Sequence, residues 1–168
     1  MPIYTCTTTA STLTSGTKAA LATEIAEIHS AINHVPSSYV TVVFHELPRD
    51  SAYSGGVPSS PVLVSAWVRE GHPDADTTGL ATKIAAAVAR MAGVPAEQVT
   101  VVIQPGPARF AVEFGRVLPE PVHEGAWIAQ QSLIPRDGRK DTTWMTLLLR
   151  SFPPYWLTRT RWSPTPTR

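Results

Sequence analysis

Residues 22–48 read ATEIAEIHSAINHVPSSYVTVVFHELP, and residues 81–107 read ATKIAAAVARMAGVPAEQVTVVIQPGP. The second stretch repeats the first without a gap at an offset of 59 residues, with 11 of 27 aligned positions identical. Extended backwards at the same offset, the repeat pairs the segment that begins with Pro2 with the segment that begins with Pro61. The repeats therefore span residues 2–48 and 61–107, and each is predicted to form a strand, a helix and a second strand.

Apolar residues in each copy recur at helical spacing. Steps of three or four residues predict one apolar stripe per helix, formed by Leu21, Ile25, Ile28 and Ile32 in the first copy and by Leu80, Ile84, Val88 and Met91 in the second. Capping residues are also predicted at the helix ends: Thr14 or Ser15 before the first helix, Asp74 or Asp76 before the second, and Gly93 after the second.

Residues 40–44 and 99–103 are β-branched and apolar nearly throughout, which predicts strands buried on both faces. Because a helix connects the two strands of each copy, the strands should pair in parallel. We therefore expect an α/β domain of two tandem β-α-β units, with a four-stranded core sheet and two helices on one face.

The charge distribution divides the chain into two parts. Residues 1–131 carry 7 basic and 11 acidic side chains, whereas residues 132–168 carry 7 basic and 2 acidic ones. We expect one ordinary domain over residues 1–131, followed by a basic C-terminal tail, 132–168, rich in proline and aromatic residues. Such a tail could bind an anionic partner, but an arm packed on a subunit or a disordered segment is the favoured interpretation. No nucleic-acid or membrane partner is predicted.

The sequence carries no secretory signal pattern and no apolar run of about 20 residues. A single cysteine, Cys6, excludes an internal disulfide. We therefore expect a soluble, cytoplasmic protein.

The usual catalytic signatures are missing: the sequence has no nucleophile elbow, zinc-protease motif, phosphate loop or dinucleotide-binding fingerprint. The five histidines are scattered, so no metal site is predicted. Pro2 is an unusual candidate base, because removal of Met1 would make it an N-terminal secondary amine that titrates within reach of neutrality in a suitable environment. The alternative is that Pro2 merely starts a strand.

Several segments together resemble a known family. The longest is VEFGRVLPEPVHEGAW, residues 112–127, and the others include Pro2, His29 in its helix, YSGGV at 53–57 and VREG at 68–71. In order and separation these segments resemble the tautomerase superfamily, and within it the cis-3-chloroacrylic acid dehalogenase group. The resemblance covers about residues 2–131.

The resemblance implies a role for each matching residue. Pro2 would be the proton-transfer group, and Arg69 would hold a substrate carboxylate. Glu113 would position or activate a water or move a proton, while His29 would help to bind the carboxylate or polarise the substrate. Phe114 would contact the substrate. The resemblance also implies a homotrimer that acts on a small carboxylic acid and uses neither a metal nor an organic cofactor.

Two site positions depart from the dehalogenase pattern. His72 stands where those enzymes carry a second carboxylate-binding arginine, and Val102 stands where they carry a tyrosine. His72 is a weaker, pH-dependent cation, and Val102 cannot donate a hydrogen bond. Both are still expected at the substrate site, and the changes favour a larger or less polar substrate than a haloacrylate.

Three functional hypotheses follow. In the first, neutral Pro2 catalyses enol–keto tautomerisation of a 2-oxo or enol acid. In the second, protonated Pro2 and Glu113 add water to an α,β-unsaturated acid, with loss of halide from a 3-haloacrylate. In the third, the domain is a catalytically silent binding or scaffold subunit.

Overall fold

The computed structural model describes residues 2–113, 115–120 and 123–131. The first copy of the repeat forms β1 (Ile3–Thr9), α1 (Ser15–Asn33) and β2 (Thr41–Leu47), followed by a small hairpin of β3 (Tyr53–Ser54) and β4 (Val57–Pro58). The second copy forms β5 (Val62–Arg69), α2 (Asp74–Ala92) and β6 (Val99–Gly106), followed by a hairpin of β7 (Val112–Glu113) and β8 (Arg116–Val117). A short helix, α3 (Glu124–Gln131), comes last.

Four strands form one mixed sheet in the order β2-β1-β5-β6. Strand β1 pairs with β2 in parallel, and β5 pairs with β6 in parallel, as the helical crossovers require. The two units meet through the antiparallel pair of β1 and β5. The prediction of two β-α-β units around a four-stranded sheet is thus confirmed.

The strand register corrects one detail of the repeat. Ile3 pairs with Thr41, whereas the residue paired with Thr100 is Leu63. Since Thr41 and Thr100 are equivalent at the offset of 59, β1 and β5 are equivalent at an offset of 60. Pro2 therefore corresponds in space to Val62, not to Pro61. The reason is a connection between β1 and α1 that is one residue longer than the connection between β5 and α2.

Both long helices pack on one face of the sheet. Their predicted stripes meet the strand residues of that face in a single core, with Leu21, Ile25, Leu80 and Ile84 at most 1% exposed. The rest of the stripes packs partly buried around them, except for Val88, which is fully buried. At the end of α1 the buried positions are polar, His29 and Asn33.

The opposite face of the sheet, called the open face below, carries exposed apolar side chains. The prediction of strands buried on both faces is therefore wrong for the single chain. Helices α1 and α2 cover one face. Apolar side chains on the other face are about two-fifths to one-half exposed: Ile3 46%, Val43 39%, Leu63 41% and Val102 47%.

The helix starts differ from each other. Thr14 is the N-cap of α1 and its hydroxyl accepts a hydrogen bond from the Thr17 N–H, as predicted. The predicted aspartate cap of α2 is wrong, because Pro73 holds that position and makes no side-chain cap bond. Asp74 and Asp76 lie instead in the first helical turn, where their charges face the positive end of the helix dipole.

The two small hairpins extend the repeat beyond the part that is visible in the sequence. Strands β3 and β4 pair antiparallel around Gly55 and Gly56, and strands β7 and β8 pair antiparallel 59 residues further along. Gly56 and Gly115 occupy equivalent positions and both have positive φ, 79° and 74°. The second hairpin carries Glu113, and the equivalent residue of the first hairpin is Ser54.

The predicted tail, residues 132–168, lies outside the described residues. Within the part of the chain that is described, no helix combines the length and the apolar character that a membrane span requires.

Candidate functional site

A cavity of about 30 Å³ lies at the edge of the sheet where β1 begins and β5 ends. Five of the residues predicted from the sequence line it: Pro2, His29, Arg69, His72 and Glu113. The volume suits a few water-sized groups, so the cavity matches a small ligand or the reactive end of a larger one.

The topology explains why these residues meet. Because β1 and β5 are antiparallel, the residue before β1 and the last residue of β5 share one sheet edge. Strand β6 runs parallel to β5 and ends at the same edge, so the β7–β8 hairpin that follows brings Glu113 there. Helix α1 runs back along the sheet, so His29, which is near the C-terminus of the helix, lies next to the start of β1.

Pro2 is buried and lies immediately before Ile3, the first residue of β1. Its carbonyl oxygen accepts a hydrogen bond of 3.1 Å from the Thr41 N–H, which ties it to the first residue of β2. A backbone nitrogen has no side-chain torsions of its own, so this anchoring also fixes the direction of the Pro2 nitrogen.

His29 is 4% exposed and is held by two neighbours. The Tyr4 hydroxyl lies 2.7 Å from its Nδ1 atom, and the Asn33 amide lies 3.2 Å from its Nε2 atom. Burial lowers the pKa of His29 to about 4, with smaller contributions from His72 and from the positive charge of the amino terminus. His29 is therefore a neutral imidazole at pH 7.

Arg69 supplies the positive charge of the cavity. Its side chain is 9% exposed, and its Nη1 atom donates a hydrogen bond of 2.9 Å to the carbonyl oxygen of Pro119. This bond orients the guanidinium, whose planar fork is suited to a carboxylate.

Glu113 is the acidic group of the cavity. Burial raises its pKa above the ordinary value for glutamate, while the charge of the amino terminus and a hydrogen bond with it act in the opposite direction. A carboxyl group with a raised pKa is suited to proton exchange near neutrality.

The other two predicted site residues are Val102 and Phe114. Val102 is on the open face of the sheet and is not among the residues that line the cavity. Phe114 lies outside the described residues. Among the described residues there is no group of three or more His, Cys, Asp or Glu side chains placed to hold a metal ion. The roles of Val102 and Phe114 in substrate binding stay predictions.

Two features of the cavity were not predicted from the sequence: the polar residue Asn33 and the apolar wall. The wall includes Tyr39, Leu118 and Trp127, and the rings of Tyr39 and Trp127 lie 6.3 Å apart. Trp127 falls inside the segment 112–127 that carried the family resemblance, and Asn33 is one helical turn after His29. These two positions in the sequence are the features from which Trp127 and Asn33 were predictable as site residues.

Known proteins resemble this chain over most of its described length. The family model Tautomerase_3, described as "Putative oxalocrotonate tautomerase enzyme", matches residues 1–132. No curated protein gave a significant match.

Solved structures also match. Native Ps01740 is 32% identical, with a TM-score of 0.65 over 66% of this chain and 99% of that one. N1, a member of the cis-3-chloroacrylic acid dehalogenase family, is 27% identical, with a TM-score of 0.73 over 79% and 92% of the two chains. A fused 4-OT trimer is 18% identical, with a TM-score of 0.65 over 68% and 94%, a likeness of fold. The chain therefore belongs to the tautomerase superfamily and resembles its cis-3-chloroacrylic acid dehalogenase group.

Proposed function

We propose that the protein is a cofactor-independent enzyme in which Pro2, freed by removal of Met1, acts as acid and base on a small 2-oxo, enol or unsaturated carboxylic acid. One observation carries the proposal: Pro2, Arg69 and Glu113 line the same cavity. An amine, a guanidinium and a carboxyl group around one small space suit the binding of an acid and the movement of its proton.

The favoured reaction is enol–keto tautomerisation. Arg69 binds the carboxylate and thereby fixes the reacting carbons relative to Pro2. The neutral Pro2 nitrogen removes the proton of the 2-hydroxyl group and delivers it to C3, so that the carbon–carbon double bond becomes a carbonyl group at C2. Burial beside Arg69 favours the neutral amine that this step requires.

The raised pKa of Glu113 supports a second candidate, hydration of an α,β-unsaturated acid. In this reaction Glu113 accepts a proton from water, the water oxygen bonds to C3, and protonated Pro2 delivers its proton to C2. If C3 carries a halogen, the adduct then expels halide as its C3 hydroxyl group loses a proton to solvent, which leaves a carbonyl group at C3. The third candidate is a catalytically silent binding or scaffold subunit. Retention of Met1 would favour this candidate, because Pro2 would then have no free amine.

We also propose a homotrimer. The open face of the sheet carries exposed apolar residues that a soluble monomer rarely leaves together in water. The match to the trimeric fused 4-OT structure supports assembly of this fold as a trimer. A neighbouring subunit would then complete the side of the cavity near Glu113.

The test begins with intact mass, which decides whether Pro2 is the first residue. Ketonisation of phenylenolpyruvate and turnover of cis-3-haloacrylates and propiolates are then measured for wild type and Pro2→Ala. Pro61→Ala is the matched control, because Pro61 directly precedes β5 but does not line the cavity.

We expect Pro2→Ala to lose at least about 100-fold in ketonisation while Pro61→Ala keeps wild-type activity. Loss of hydration in Glu113→Gln with ketonisation retained would favour the second candidate. Retention of Met1, or equal activity of Pro2→Ala and wild type, would contradict both enzymatic candidates.

A further inference from the structure

Three polar side chains form a buried chain of hydrogen bonds beside the cavity. The Tyr4 hydroxyl lies 2.7 Å from Nδ1 of His29, and the amide nitrogen of Asn33 lies 3.2 Å from Nε2 and 3.4 Å from Nδ1. The three residues are 0%, 4% and 6% exposed. Among the described residues, the side chains of Tyr4 and Asn33 make no other hydrogen bond.

The direction of the first bond follows from burial. A buried phenol needs an acceptor for its proton, and His29 is the acceptor within reach of Tyr4. Burial also raises the pKa of Tyr4, so the hydroxyl keeps its proton. The Tyr4 O–H therefore donates to Nδ1 of His29, and Nδ1 carries no proton.

The second bond follows from the first. A neutral imidazole carries one proton, and with Nδ1 acting as acceptor that proton is on Nε2. Asn33 must then turn an acceptor, its carbonyl oxygen Oδ1, toward Nε2. The oxygen and nitrogen of an amide are nearly equal in shape, and the hydrogen-bond network decides their positions. The NH₂ group of Asn33 is consequently directed away from His29.

The repeat shows that the fold does not require these polar residues. The structurally equivalent positions of the second copy hold Val64, Val88 and Ala92, all apolar. Val64 and Val88 are 1% and 0% exposed, so the same β-α-β packing is built there from hydrocarbon. The polar chain is confined to the first copy, whose His29 and Asn33 line the cavity.

We propose that Asn33 contacts the substrate, and that Tyr4 and neutral His29 act as positioning residues that turn its NH₂ group toward an uncharged oxygen of the bound acid. The inference rests on the proposed function. With the carboxylate on Arg69, the oxygen at C2 of a 2-oxo or 2-hydroxy acid is the acceptor closest to the carboxylate. The site would thereby select acids that carry this oxygen over acids that lack it.

The tautomer is tested without turnover. Nitrogen-15 NMR of the imidazole of wild-type protein at pH 7 should show His29 protonated at Nε2 and unprotonated at Nδ1. In Tyr4→Phe, which removes only the hydroxyl, the single tautomer should give way to a mixture. A proton on Nδ1 in the wild type would overturn the hydrogen-bond chain.

The contact to substrate is tested by binding of phenylpyruvate and of 3-phenylpropionate, which lacks the 2-oxygen. Asn33→Ala should weaken phenylpyruvate binding about tenfold and 3-phenylpropionate binding less than twofold. Asn33→Asp keeps an acceptor for Nε2–H but has no NH₂ group. It should therefore keep the His29 tautomer and still lose the preference for the 2-oxygen.

Glu27→Ala, on the exposed side of the same helix, is the control and should change neither affinity. Equal losses for both acids in Asn33→Ala would overturn the role of Asn33 while leaving the proposed function intact. Failure of the wild type to bind either acid would instead contradict the proposed function and, with it, the substrate contact.

Discussion

His34 and Gly93 end the two long helices with the same left-handed backbone, at φ angles of 56° and 66°. They are equivalent residues of the repeat, 59 positions apart. The backbone N–H of each cap bonds back to the helix, to Ser30 and Ala89 respectively. Only the second copy carries the glycine that makes this conformation free of steric cost.

We therefore expect His34→Gly to stabilise the protein by up to about 1 kcal/mol, because it removes the Cβ atom from a left-handed residue. Gly93→Ala should destabilise it by a similar amount for the same reason. Urea denaturation of both variants measures the effects. A lower midpoint for His34→Gly would show that its side chain contributes more than its backbone costs.

A second prediction concerns Gly106 in β6. A Cβ atom there would overlap the indole of Trp67 on the neighbouring strand, so Gly106→Ala must displace that ring. We expect a loss of about 1–3 kcal/mol in the free energy of unfolding.

Gly79→Ala is the matched control for Gly106→Ala. Gly79 lies within α2, where an added Cβ meets no atom within 4 Å. Thermal denaturation should show this variant unchanged or more stable, by about 0.5–1 kcal/mol. Equal effects of the two substitutions would contradict the close contact with Trp67.

A third prediction concerns the pH dependence of stability. The pKa of His29 is lowered from 6.5 to about 4, so between these values the unfolded chain binds more protons than the folded one. The contribution of His29 to stability is fully present above pH 6.5 and is lost as the pH falls toward 4. Its size is at most roughly 3 kcal/mol.

Glu113 has a raised pKa and therefore acts with the opposite sign, favouring the folded state as the pH falls. The effect of His29 is therefore measured as the difference in the free energy of unfolding between wild type and His29→Gln, determined by denaturation at several pH values. This difference in the free energy of unfolding should become smaller as the pH falls from 7 to 4. A His29 resonance that titrates near pH 6.5 by NMR would contradict the prediction.

The fourth prediction concerns Arg69. Arg69→Ala should reduce kcat/KM for a carboxylate substrate by roughly 100-fold, mainly through KM, because a charge-assisted contact is lost. Arg69→Lys should recover only part of this loss, since an ammonium group lacks the planar fork.

Arg90→Ala is the control for charge. Arg90 pairs with Glu24 at 2.7 Å on the exposed surface of the helices, and its loss should leave kcat/KM unchanged and cost less than about 1 kcal/mol of stability. Steady-state kinetics of Arg69→Ala, Arg69→Lys and Arg90→Ala test whether Arg69 binds the substrate carboxylate. An unchanged KM in Arg69→Ala would exclude Arg69 as the carboxylate site.

Much of the fold follows from local patterns. The stripe that contains Leu21 and Ile25 predicted α1 and its buried face, and the duplicated Val-Thr-Val-Val segments predicted two equivalent strands. Those properties depend on residues a few positions apart, so periodicity alone is enough to predict them. The predicted aspartate cap of α2 was wrong because the helix begins one or three residues earlier than Asp74 or Asp76 would place it, a shift that periodicity does not resolve.

Other properties arise from contacts between residues that are distant in the chain. The offset of 60 between β1 and β5 became visible only through strand pairing, and the chain from Tyr4 to His29 joins residues 25 positions apart. The sequence alone specified the duplicated β-α-β units and offered Pro2, Arg69 and Glu113 as candidates. Folding placed them around one cavity, added Asn33 and Trp127, and left Val102 on the open face, because the order and direction of the strands depend on packing across the whole sheet.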